Sequence, residues 1–142
     1  KNKLAEIEYV PEVAIERKAA VYSKQGADRQ VHQVPGSIFQ VRLDLTHPLC
    51  FGYTGDTMPV FKSGQNAAVI SSDIYNNPVR YSDKPLLSGY CSDENINRIK
   101  NSAYASVHKN GIISLYDNTN FRAVWYGTNK IFLNALFFGG II

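Results

Sequence analysis

The chain has 142 residues, fifteen Lys and Arg against twelve Asp and Glu for a net charge of +3, and 44% hydrophobic with 12% aromatic side chains. That is the size of one domain with a moderate core, and it is too apolar and too weakly charged for a disordered chain. The slight basic surplus is not clustered, so no nucleic-acid partner is implied, and no apolar run approaches the roughly 18 residues of a membrane span. The first residues, Lys1-Asn2-Lys3-Leu4-Ala5-Glu6, lack a signal peptide's apolar stretch, and a soluble chain is the expectation.

Residues 1–34 read as a lead-in segment, in which charges interrupt Leu4, Ile7, Ile15 and Val21 with no sustained period. Residues 25–36, with Gly26, Asp28 and Pro35-Gly36, favour a loop. The domain proper is then 35–142. Residues 38–45 alternate, placing Phe39, Val41, Leu43 and Leu45 on one side and Gln40, Arg42 and Asp44 on the other, the pattern of a half-buried strand. Residues 46–56 carry Pro48, Gly52 and Gly55 among Leu49, Phe51 and Tyr53, an ordered turn that packs aromatics. Met58-Pro59-Val60-Phe61 is a short strand whose proline, lacking an N–H, places it at a sheet edge or a strand start.

Short strands are expected over 67–70 and 79–81, separated by the Asn76-Asn77-Pro78 turn, with the apolar run Leu86-Leu87 following. A surface helix is expected over 93–101, capped by Ser92, with Asp93 and Glu94 complementing the helix dipole in its first turn. Residues 104–117 flank Asn110-Gly111, which suits a two-residue β-hairpin with a type I′ turn. Residues 128–138 form an apolar helix with only Lys130 and Asn134 as a thin wet stripe, which predicts a largely buried helix stopped in the left-handed region at Gly139-Gly140. The fold class expected is α/β or α+β, a layered sheet with flanking helices, including a C-terminal β-hairpin and a buried final helix.

The chemistry-bearing residues are few. Cys50 and Cys91 are too few for a disulfide scaffold or a cysteine-only zinc site, and read first as buried free thiols, then as one disulfide or as a reactive thiol. His32, His47 and His108 occur singly, with no His-x-x-Glu pair, so no metal site is expected within the chain. His108 reads as solvated hairpin surface, and His47, held extended before Pro48, as a structural hydrogen-bonding residue. Gly89-Tyr90-Cys91-Ser92 has the strand, turn and nucleophile order of an elbow, but the downstream His108 is followed by Lys109 and Asn110 rather than by the glutamate of a His-x-Glu base pair. Arg122, beside the final helix, needs a carboxylate if buried, and Asp44 is the partner expected. The tyrosines read as core and strand residues, or alternatively as the lining of a peptide or glycan groove.

Residues 35–138 resemble the C-terminal domain that follows the catalytic domain in long bacterial zinc carboxypeptidases of the carboxypeptidase A-like family. The stretches that carry the likeness are Pro35-Gly36-Ser37-Ile38-Phe39-Gln40-Val41-Arg42-Leu43-Asp44, Thr46-His47-Pro48-Leu49 with Gly52-Tyr53, Pro85-Leu86-Leu87-Ser88-Gly89-Tyr90, the hairpin with Gly111, Asn120-Phe121-Arg122-Ala123, and Gly127-Thr128 leading to Lys130-Ile131-Phe132-Leu133-Asn134-Ala135-Leu136. The resemblance implies a class I glutamine amidotransferase-like unit without its triad, in a parent metallocarboxypeptidase exported to a periplasm or cell surface, whose zinc ligands lie upstream of Lys1. It implies a non-catalytic accessory domain with a structural, assembly or substrate-positioning role. Its partners would be the upstream carboxypeptidase domain, a peptide substrate or a second copy in a homo-oligomer. The alternatives are a free-standing amidotransferase-like enzyme using Cys91, or a peptide- or glycan-binding module. Residues 1–34 carry no part of the likeness.

Overall fold

The computed structural model describes residues 5–12, 21–26 and 33–142. It is an α+β domain with strands β1 (Ser37–Leu43), β2 (Thr57–Lys62), β3 (Val79–Ser88), β4 (Ala103–Val107) and β5 (Ile113–Leu115), and helices α1 (Asp93–Ile99) and α2 (Tyr126–Phe138). The strands form one antiparallel sheet in the order β2-β1-β3-β4-β5.

The alternation in β1 buries Phe39, Val41 and Leu43 as expected, but the strand stops before Leu45, which is exposed. Asp44 ends it: its carboxylate accepts from the Thr46 N–H at 3.0 Å and the Thr46 hydroxyl at 2.6 Å, turning the chain away from the ladder. β2 lies at the sheet edge with Pro59 opposite Gln40, which is where a residue without an N–H is tolerated. The expected strand over 67–70 contracts to one bridged residue, Ala68, which pairs with Tyr9 and with Ala103. The strand expected over 79–81 instead runs ten residues to Ser88, because the apolar Leu86 re-enters the ladder opposite Phe39 after a bulge around the buried Pro85.

α1 is capped by Ser92, whose hydroxyl accepts from the Asn95 N–H at 3.3 Å. It ends two residues short of the expected limit, and Asn101 takes the left-handed conformation (φ 58°) that asparagine adopts at low cost. The hairpin is real, but its turn is not type I′. The Gly111 N–H donates to the His108 carbonyl at 2.8 Å and the His108 N–H to the Ile112 carbonyl at 2.8 Å. Only Gly111 of the loop has positive φ (76°). This is a three-residue loop, Lys109 to Gly111, with glycine at the left-handed position of a bulge. Asn110 instead contributes its side-chain oxygen to the Ile112 N–H at 3.4 Å. Gly111→Val is expected to cost about 1 to 3 kcal/mol, since a β-branched residue resists positive φ. A lowered urea midpoint at unchanged slope checks it.

The core lies on the face of the sheet carrying Phe39, Val41, Val60, Val79 and Tyr81, closed by Leu49, Ile99 and Ile131. Tyr81 sits between Phe39 and Tyr104 in edge-to-face contacts of 5.9 and 5.8 Å. Part of the lead-in joins this body: the Val10 N–H donates to Ala67 at 2.7 Å, the Val69 N–H to Glu8 at 2.8 Å, and the Arg98 guanidinium holds the Val10 and Pro11 carbonyls. The loop expected over 25–36 falls in part outside the described residues, as does His32.

α2 reverses the expectation drawn from its composition. Its buried residues are Thr128, Ile131 and Asn134, while Leu133, Leu136 and Phe137 face solvent. The nominal wet stripe is the docking face, because the turn at Pro48–Cys50 presents backbone carbonyls there. Asn134 Nδ2 donates to Leu49 at 2.9 Å and Phe51 at 3.0 Å, and the Lys130 ammonium donates to Gly52. Unsatisfied carbonyls would cost more than exposed leucine. Gly139 remains right-handed (φ −57°), and neither terminal glycine has positive φ.

Candidate functional site

Asp44 and His47 come together in the turn after β1. His47 Nδ1 accepts from the Leu49 N–H at 3.1 Å and caps the short helical turn Pro48–Cys50. Burial lowers its pKa below the ordinary 6.5, and the Asp44 carboxylate beside it offsets this in part. The Asp44 carboxyl is itself held below its usual value, first by the Thr46 hydroxyl. His47 is thus a structural acceptor, and protonating Nδ1 removes the cap. Its folded pKa is depressed, so its contribution to stability is complete above pH 6.5 and is lost as the pH falls through the folded value. The urea midpoint should fall between about pH 7.5 and about pH 5.5, and fall less in His47→Asn, which keeps an acceptor and cannot be protonated.

Cys91 follows β3 and is buried, as is Cys50, and both are free thiols. Burial pushes the Cys91 thiol up; the Lys62 ammonium opposes this and the Asp93 carboxylate adds to it. Cys50 is pushed up to about 12, chiefly by burial. An elbow places its nucleophile on the strained residue of the turn. Here the left-handed residue is Gly89 (φ 96°), two before the cysteine, and Cys91 has ordinary φ. The only histidine downstream of Cys91, His108, shares a 2.9 Å hydrogen bond with the Ser114 hydroxyl on the neighbouring strand, half-buried rather than solvated.

Arg122 and Asp44 do not pair. Arg122 is exposed in a left-handed conformation (φ 52°), followed by Ala123 at φ 54°, and its guanidinium lies 5.2 Å from the Phe121 ring. Phe121 in turn stacks on Phe61 at 4.0 Å. With its charge in water, the arginine needs no carboxylate.

The buried charge is elsewhere, at Lys62, the last residue of β2. Its ammonium donates to both Asp117 oxygens at 3.1 Å and to the Asn66 carbonyl at 2.7 Å, with the two side chains 1% and 5% exposed. The Tyr81 hydroxyl donates to Asp117, and the ammonium lies 5.3 Å from the Tyr81 ring. Burial and the Asp117 charge push the Tyr81 phenol well up. The Tyr104 hydroxyl is buried with no hydrogen-bond partner among the described residues. No sequence pattern marked this cluster, since its members lie on separate strands and one loop.

The outer face of α2 is apolar and exposed. Leu133, Leu136 and Phe137 continue into Phe51 and Phe138, whose rings meet at 5.5 Å, and together line a groove of about 490 Å³. Among the described residues no three His, Cys, Asp or Glu side chains converge as a metal site, and no helix is long and apolar enough to cross a membrane. Comparison with family models, with curated proteins and with solved structures finds no match for this chain.

Proposed function

We propose that this chain is a non-catalytic accessory domain, class I glutamine amidotransferase-like in descent, of a zinc carboxypeptidase-like protein acting in the periplasm or outside the cell. Its work is assembly rather than bond cleavage. The observation that carries this reading is the apolar outer face of α2. A face of that size open to water is a liability in a free monomer and an asset in a protein that docks. The stretches that carry the family resemblance fall on β1 and the turn after it, on the end of β3, on the β4–β5 hairpin, on residues 120–123 and on α2, and of these α2 carries the face. The polar groups that catalysis would recruit are engaged otherwise: His47 and Asp44 hold backbone N–H groups, and burial disfavours the Cys91 thiolate. The catalytic zinc of the parent would be held by residues upstream of Lys1.

The reading frame upstream of the Lys1 codon tests this directly: a His-x-x-Glu pair and a later histidine are expected there, and a frame without them overturns the carboxypeptidase connection. Glutamine hydrolysis by the purified chain that disappears in Cys91→Ala would overturn the non-catalytic reading.

A further inference from the structure

We infer that the outer face of α2 is the interface through which two copies of this chain form a twofold dimer. The inference rests on the reading of the chain as an assembly domain and names its partner. Phe51, Tyr126, Leu133, Leu136 and Phe137 are each between 60% and 83% exposed. At about 200 Å² for a whole large side chain they leave roughly 700 Å² open to water. That is the area one partner contributes to a standard stable interface, and more than a monomer ordinarily leaves exposed.

The chemistry of the face selects a second copy. A twofold contact requires one surface to carry both the projecting and the receiving parts, since each copy meets the same patch of the other. Here the groove between Phe51 and α2 and the side chains that would fill such a groove stand on the same helix. Its lining, from Phe51 through Leu133, Asn134 and Leu136 to Phe138, carries no charge, so nothing is left unpaired when like meets like. The one cation of the helix, Lys130, is turned inward to the Gly52 carbonyl and the Tyr53 ring, 5.0 Å from the ring centre. Tyr126, Leu133 and Phe137 recur at seven and four residues, one stripe along a 13-residue helix. In an antiparallel helix pair Leu133 lies near the axis and Tyr126 approaches Phe137 of the partner subunit.

Sedimentation equilibrium of the whole chain at micromolar concentration is expected to give twice the 15.9 kDa of one copy. Leu133→Glu and Phe137→Glu should each weaken association at least about tenfold, by burying an unpaired charge, with unchanged circular dichroism because both positions are exposed. Leu133→Cys should cross-link to itself on oxidation, while the parent chain, whose two thiols are buried, should not. A dimer that neither charged variant disturbs overturns the interface. A monomeric parent chain overturns the second copy as occupant. In that event, binding of an apolar dye that Phe137→Glu abolishes would support the assembly reading with another partner, and no dye binding would overturn that reading too.

Discussion

Replacing Lys62 by methionine is expected to cost the domain about 3 to 5 kcal/mol, the range for removing one partner of a buried ion pair. Methionine fills the space of the lysine stem, so the loss is electrostatic: among the described residues the Asp117 carboxylate, 5% exposed, keeps only the Tyr81 hydroxyl against full burial of its charge. Asp117→Asn should cost less, because the amide oxygen still accepts from the ammonium. Removing both charges in Lys62→Met with Asp117→Leu should recover part of the single loss, since no buried charge is then left unpaired and only two neutral groups, the Tyr81 hydroxyl and the Asn66 carbonyl, lose their partners. Urea unfolding followed by tyrosine fluorescence reads all three. A double variant no better than Lys62→Met would show that the pair contributes through its geometry rather than by neutralising two buried charges.

Gly89→Val is expected to cost about 2 to 4 kcal/mol, combining backbone strain with overpacking. Gly89 has φ 96°, and a Cβ there would stand 2.6 Å from the Ser37 hydroxyl and 3.1 Å from the Ser37 Cα. The hydroxyl could swing away only by giving up its bond to the Tyr90 carbonyl, now 2.7 Å, and the Ser37 Cα cannot move aside without shifting β1 in its ladder. Gly89→Ala should fall between the two, and Ser37→Ala should lower stability by only about 1 kcal/mol because it removes the bond but not the strand contact. A thermal shift for Gly89→Val no larger than for Ser37→Ala would place the cost in the hydrogen bond alone.

Local pattern was a sound guide where the forces are local. The alternation of β1, the edge position of Pro59 and the Ser92 cap each follow from a few neighbouring residues, and the structure has all three. It misled wherever a distant backbone set the demand. Asn134 looked like a solvent-facing residue on an apolar helix, yet its amide is required by two carbonyls more than 80 positions away. Lys62 and Asp117 are 55 residues apart, so nothing near either marks the pair. The expected Arg122–Asp44 pair failed for the converse reason: Asp44 is satisfied two residues on, by Thr46. The order of elements showed a sheet with flanking helices but left α/β and α+β both open, since the antiparallel path that decides between them depends on which strands meet.

The strand order carries a consequence for how the molecule comes into being. β2 takes one flank of β1 and β3 the other; β4 then lies beside β3 and β5 beside β4. Each strand therefore joins at an open margin in the sequence in which a ribosome delivers it, and none has to wedge between neighbours already joined. α2 arrives last of these elements and settles on the turn at Pro48–Cys50, which precedes β2 in the chain. A helix late in this order thus seals a turn that comes early in it, and a nascent chain paused before Tyr126 would carry its sheet with the Leu49 side still bare.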